Sequence, residues 1–274
     1  MEVRTLSRAG RALRVGLRPA TGVGAARPPL VVFNGLGASL ELLEPFAAAL
    51  AHPPLIVIDA PGVGTPAPSM PYRFASLARQ ANDVLAELGF ADGAVDVMGV
   101  SWGGCLAQQF AFQYPGRCRR LVLAATSPGI LMVPGRPAAV LGTLGTALQG
   151  GAPARMASRV LGRDFEARPE RFIEQVRRLV PSDLRSQACQ LLALWGWSSL
   201  PWLRRLRQPT LVLAGRDDHL VPLANARLLA ALIPKASLRI LEGGHGFLLT
   251  RAAHAAGLVQ DFLAGEIDAT GSAP

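Results

Sequence analysis

The sequence predicts an α/β fold, a mostly parallel sheet with helices on both faces. Three observations predict it. Short apolar runs of strand length alternate with helix-length amphipathic stretches, the order that builds parallel sheets covered on both sides. Several of those runs end in glycine-rich loops of distinctive composition. The alternation then stops once, for about eighty residues, and resumes, which reads as an insertion between two strands of one sheet.

In chain order, Leu30–Phe33 is a buried strand entering the tight loop Asn34-Gly35-Leu36-Gly37, and Ser39 caps a helix over 40–51. Leu55–Ile58 is a second buried strand, ending at Asp59-Ala60-Pro61-Gly62. Asp59 reads there as structural, ordering the Pro61-Gly62-Val63-Gly64 loop. A helix follows over 74–88, then the strand Val95–Val100, a helix from Cys105 onward, and a strand over 120–125. Residues 128–207 contain helical stretches, 171–180 and 187–195, and a cluster of Trp195, Trp197 and Trp202, but no convincing strand. The rhythm resumes at Thr210–Gly215, continues through a strand at 237–241, and ends in a helix over 251–264. Residues 1–127 and 208–274 therefore form the core, and 128–207 form a helical lid over the carboxyl ends of the strands, where open α/β sheets bind ligands. At least two of the three tryptophans are expected in the core of that lid.

Composition narrows the class. The chain has 274 residues, half of them hydrophobic and 17% charged, which makes it globular and not disordered. The formal net charge is +9, yet Lys235 is the only lysine and the arginines are scattered. No basic, aromatic-interleaved module appears, so nucleic acid is not an expected partner. Cys105, Cys118 and Cys189 show no paired spacing, which fits a reducing compartment, and Cys105 is expected in the core. The amino terminus lacks an apolar signal region, and the most apolar stretch, 130–148, is broken by Pro134 and Pro137. A cytoplasmic protein without a transmembrane segment is expected. The four histidines lack ligand spacing, so no metal is expected. Gly22-Val23-Gly24 does not sit in a βαβ unit, so no dinucleotide or other cofactor is expected either.

The chemistry starts at Gly99-Val100-Ser101-Trp102-Gly103, a Gly-x-Ser-x-Gly run between a strand and a helix. Glycines on both sides let the backbone turn sharply and lift the serine hydroxyl to the tip of the sheet. A serine needs a base within hydrogen-bond reach. His52 lies at the opposite strand ends, His254 inside the last helix, and His219 directly after a candidate acid. His245 follows the last strand among Gly243, Gly244 and Gly246 and is the expected base. In Gly215-Arg216-Asp217-Asp218-His219-Leu220-Val221-Pro222, Asp217 and Asp218 both follow a strand, and the resemblance to the hydrolase pattern Gly-x-x-Asp-x-x-x-Pro, whose acid is the fourth residue, selects Asp218. The order Ser101, Asp218, His245 is that of α/β-hydrolases. The backbone N–H groups of Trp102 and Leu36 are the expected oxyanion donors, with Gly35 and Gly37 letting the second approach closely and Asn34 either bracing that loop or donating a hydrogen bond of its own.

These residues resemble a known family. Phe33-Asn34-Gly35-Leu36-Gly37-Ala38, Asp59-Ala60-Pro61-Gly62-Val63-Gly64 and Gly99-Val100-Ser101-Trp102-Gly103-Gly104 look like intracellular poly(3-hydroxyalkanoate) depolymerases, as do 106–110, 120–126 and 208–215. The resemblance is closest to enzymes acting on polyesters with medium-length side chains. It covers nearly the whole chain and is weakest around 135–181. It implies Ser101 as nucleophile, Asp218 as acid and His245 as base, acting on a polyester granule or another hydrophobic ester. A general carboxylesterase or lipase would share every one of these residues. A hydrolase-fold protein that only binds a ligand remains the alternative from another class. A haloalkane dehalogenase is disfavoured because it needs a carboxylate where Ser101 stands. Oligomeric state and polymer chain-length preference are not legible.

Overall fold

A computed structural model describes residues 1–8, 10–20, 27–51, 54–140, 179–180 and 182–266. Its centre is an eight-stranded sheet. The strands are β1 (Glu2–Arg8), β2 (Arg11–Arg18), β3 (Leu30–Phe33), β4 (Leu55–Ile58), β5 (Val95–Val100), β6 (Cys118–Ala124), β7 (Thr210–Gly215) and β8 (Ala236–Leu241). Their order across the sheet is β1-β2-β4-β3-β5-β6-β7-β8. The β1–β2 and β2–β4 pairs are antiparallel and all the others parallel.

Every residue of β3, β4 and β7 is buried, as expected of strands covered on both faces. Fully burying a Val, Leu or Ile in such a strand contributes about 1.5–3 kcal/mol. One side carries α1 (Glu44–Ala49), preceded by a 3₁₀ turn at Leu40–Leu43, together with the short α6 (Phe247–Thr250) and α7 (Ala252–Ala264). The other side carries α2 (Phe74–Leu85), α3 (Trp102–Gln113) and α5 (Leu223–Leu232). Between β6 and β7 the chain leaves the sheet. Its described part there holds α4 (Leu184–Leu194) and a 3₁₀ turn at Leu200–Arg205, with no sheet strand among the described residues.

The antiparallel hairpin β1–β2 was not anticipated, although Leu13, Val15 and Leu17 alternate with Arg14 and Arg18 in the period of two that marks a strand. The helix expected over 40–51 divides into a 3₁₀ turn and a shorter helix, with Pro45 at the second residue of α1. The helix α5 between β7 and β8 was also not anticipated. Most of the helix expected over 171–180, and His52, lie outside the described residues.

The strand order reverses around β3. After β3 the chain moves to β4 on one side, then to β5 on the other. Loops leaving β3 and β5 therefore diverge and open a crevice between them, where α/β sheets place their ligands. The register pairs Phe33 with Gly99, so the Asn34–Gly37 loop starts level with the turn at Ser101.

Candidate active site

Ser101 lies between the end of β5 and the first residue of α3, at φ 53° and ψ −118°. A positive φ at a non-glycine residue costs on the order of 1–3 kcal/mol and persists only where the surroundings over-determine it. Here they do. The Ser101 N–H donates to the Ala124 carbonyl at 2.9 Å, and the Thr126 hydroxyl donates to the Ser101 carbonyl at 2.6 Å. The flanking glycines are required by space. A Cβ on Gly99 would come within 2.3 Å of the Gly103 carbonyl oxygen, and one on Gly103 within 2.2 Å of the Phe33 carbonyl oxygen. The turn is thus jammed between its own helix and the neighbouring strand.

His245 reaches this turn from the loop after β8. Its Nε2 lies 3.0 Å from Ser101 Oγ, and its Nδ1 lies 2.7 Å from Asp218 Oδ2. The two side chains are 8% and 1% exposed, so little water competes for the bond. Asp218 Oδ1 accepts two backbone N–H groups, from Leu220 at 2.9 Å and Val221 at 2.8 Å. The carboxylate is therefore oriented before the histidine meets it. The β7 and β8 loops are also tied together, Arg216 N–H to the Leu241 carbonyl at 2.8 Å and Asp217 N–H to the Gly243 carbonyl at 3.0 Å. Asp217, His219 and His254 are exposed and take no part in this chain of hydrogen bonds.

The loop after β3 closes the other side. A Cβ on Gly35 would stand 3.6 Å from the Ser101 Cβ. Among the described residues nothing accepts the N–H of Leu36 or of Trp102. For Trp102 the reason is general, since the first N–H groups of a helix have no intrahelical partner. Asn34 turns its side chain back into the loop, its Oδ1 accepting the Gly35 N–H at 2.9 Å and its Nδ2 donating to Asp59 Oδ1 at 3.3 Å.

Asp59 differs from its sequence reading. Its carboxylate serves the loop after β3, not 61–64. Besides Asn34 it accepts the Leu40 N–H at 3.1 Å, and Arg14 stands 3.4 Å away while holding Glu41 at 2.6 Å. Burial pushes the Asp59 carboxyl up to about 7, outweighing the Leu40 N–H, the Asn34 amide and Arg14. Of the buried cysteines, Cys105 lies beneath the serine on α3. Burial pushes its thiol up to about 12, which leaves no thiolate to rival Ser101.

The segment between β6 and β7 returns across these loops. Asp183 caps α4, accepting the Ser186 N–H at 2.7 Å. Gln190 on α4 accepts the Gly37 N–H at 2.8 Å, and the Trp102 indole donates to the Gln190 carbonyl at 2.8 Å. Sequence reading missed Gln190, because α4 had no known register against the sheet. Trp197 and Trp202 are half-buried and pack against Phe74 of α2 and Phe112 of α3 at ring distances of 4.9 and 4.3 Å, so they join the core beneath the sheet's own helices and do not form the separate lid core expected, while Trp195 is 77% exposed. Among the described residues no cluster of His, Cys, Asp and Glu could hold a metal, and no helix is long and apolar enough to cross a membrane.

A mostly parallel sheet, a serine on a strained strand-to-helix turn, and a histidine and aspartate supplied by the last two strand loops define an α/β-hydrolase. The chain belongs to that family, whose model, described as the alpha/beta hydrolase fold, matches residues 28–252. Within it, the chain is 44% identical over 269 residues to a poly(3-hydroxyalkanoate) depolymerase of Ectopseudomonas oleovorans, covering 95% of this chain and 92% of that one. It is also 31% identical to a pimeloyl-[acyl-carrier protein] methyl ester esterase of Pectobacterium carotovorum, covering 78% of this chain and 88% of the relative. Among solved structures, a hydrolase from Pseudomonas aeruginosa superposes with a TM-score of 0.80 at 27% identity, covering 95% of this chain and 98% of that one.

Proposed function

We propose that this protein hydrolyses the backbone esters of a poly(3-hydroxyalkanoate), releasing 3-hydroxy acids or oligomers through an acyl-enzyme on Ser101. The observation that carries the reaction is the hydrogen-bonded chain Ser101–His245–Asp218, at 3.0 and 2.7 Å, beside the Leu36 and Trp102 N–H groups, which nothing accepts among the described residues. The substrate class rests on the 44% identity to the depolymerase.

Ser101 Oγ attacks the ester carbonyl while His245 Nε2 takes its proton, and Asp218 holds the Nδ1–H tautomer and stabilises the imidazolium. The carbonyl oxygen becomes an oxyanion that accepts from the N–H groups of Leu36 and Trp102, kept in place by Gly35 and Asn34. Collapse breaks the ester C–O bond, and His245 returns the proton to the leaving alkoxide, which departs as a shorter chain with a free hydroxyl. Water, deprotonated by His245, then attacks the acyl-enzyme, frees the acid and restores Ser101. Residues 128–207 act as a lid over this centre. Exposed Ile130, Leu131, Leu192 and Trp195 on that segment suit contact with a polyester surface, which supports a site of action at granules in the cytoplasm.

The test incubates the purified protein with emulsified medium-chain polyester and measures released 3-hydroxy acids, with short esters in parallel. Release from the polymer is expected, and none from Ser101→Ala. Brisk short-ester turnover without polymer release would favour a small-ester esterase, the reading supported by the similarity to the methyl ester esterase. Full activity in Ser101→Ala would remove the mechanism.

A further inference from the structure

The two oxyanion donors proposed above belong to different elements, Leu36 to the loop after β3 and Trp102 to the start of α3. The pairing of β3 with β5 sets the two elements side by side but ends at Phe33 and Gly99, short of both donors. Gln190 is hydrogen-bonded to both elements. Its side-chain Oε1 accepts the N–H of Gly37, the residue after Leu36, at 2.8 Å. Its backbone carbonyl accepts the indole N–H of Trp102 at 2.8 Å. The side chain is fully buried, and its Nε2 has no hydrogen-bond partner among the described residues. An enclosed amide donor left unpaired is costly, and a leucine or methionine would fill similar space without it. The acceptor end is therefore what the position uses. Gln187, three residues earlier on the same face of α4, lies against Gly37 as well.

We propose that Gln190 is a positioning residue that clamps the two halves of the oxyanion hole together, making the transition-state geometry depend on how α4 is seated. This rests on the oxyanion reading of Leu36 and Trp102. Oxyanion donors act only if they sit about 3 Å from where the charge develops, and small displacements lower the rate steeply. Gln190 touches no reacting atom. Its removal should therefore weaken transition-state binding and leave ground-state binding nearly unchanged.

The experiment compares Gln190→Leu, Gln190→Met and Gln190→Glu with the parent on a short 4-nitrophenyl ester. It also measures affinity for a trifluoromethyl ketone, which adds Ser101 Oγ to its carbonyl, and for the matching methyl ketone. Melting temperatures identify variants that fail to fold, and the methionine variant stands in if the leucine variant does. Leucine and methionine should lower kcat about 10- to 100-fold with KM within about twofold. They should weaken the trifluoromethyl ketone in parallel and spare the methyl ketone. Glutamate keeps an acceptor and should recover most of kcat. A kcat within twofold of the parent in the leucine or methionine variant, a loss confined to KM, or a glutamate variant as poor as leucine would overturn the proposal. Ser101→Ala in the same assays separates the two readings. If it keeps its turnover, the serine mechanism itself fails. If it is inert while the Gln190 variants match the parent, only the clamp fails.

Discussion

At the scale of single residues, the site is governed by how few orientations each side chain retains. Asp218 shows this most clearly. Its Oδ1 is committed to the N–H groups of Leu220 and Val221, which leaves only Oδ2 for His245. In Asp218→Asn the same two N–H groups would keep the amide oxygen and turn the NH₂ towards His245. The ring would then present an unprotonated Nδ1 to that amide and aim Nε2–H at Ser101, the tautomer that cannot accept a proton. The substitution nearly conserves volume, so folding should survive while kcat on a short ester falls by about 10³- to 10⁴-fold. Melting temperature and kcat measured together check this. A fall below about tenfold in a well-folded variant would show that Asp218 does not set the tautomer.

Elements make these orientations possible, and here the structure adds what the sequence left open. The turn between β5 and α3 was legible because its glycines leave a fixed signature around Ser101, and the contacts explain why. Gly103→Ala would drive a Cβ to 2.2 Å from the carbonyl oxygen of Phe33, so strand and helix must separate. Overpacking of this kind costs typically 1–3 kcal/mol, more against an unyielding backbone. Denaturant unfolding should show a loss of at least about 2 kcal/mol, with activity falling further as the elbow shifts off the Leu36 side. A variant of parent stability would mean the approach relaxes freely. The Asp59 clamp was less legible. An aspartate at a strand end names no partner, and Arg14 came from a hairpin the sequence reading did not recognise. The groups facing Asp59 are Arg14 from β2, Glu41 from the 3₁₀ turn, and the uncharged Asn34 and Leu40 N–H. Its folded value of about 7 lies above the roughly 3.9 of an unfolded chain, so between them the folded protein holds a proton the unfolded one has released. Stability is then greatest below about pH 4 for this group and declines as pH rises through 7, by a penalty on the order of 4 kcal/mol. Unfolding free energies of the parent and Asp59→Asn at pH 5 and pH 8 test the sign. The difference should move against the parent as pH rises, and movement in its favour would show an ionised Asp59 held by Arg14.

Across the whole molecule, the proposed function divides the labour, with the sheet loops carrying the reaction and the inserted segment meeting the substrate. Loops from β3, β5, β7 and β8 meet because the strand order reverses at β3, and strand-length apolar runs made that arrangement readable from sequence. The inserted segment was readable only as helical, because its contacts are long-range: Gln190 lies 153 residues from Gly37. It is also where large apolar side chains reach solvent, Leu192 at 53% and Trp195 at 77% exposure. Exposed apolar residues add almost nothing to the stability of the free protein, so replacing them should leave the fold and the triad alone. They do gain free energy if an insoluble apolar polymer covers them, about 1.5–3 kcal/mol for each large side chain fully buried. The pair Leu192→Ser and Trp195→Ser should therefore keep kcat/KM on a dissolved short ester within about twofold, yet release acids from emulsified polyester about 10- to 100-fold more slowly at limiting protein. Sedimentation with the polymer should fall in step. Equal losses on both substrates would assign the two side chains to the catalytic fold, and unchanged rates on both would move the polymer contact to another face.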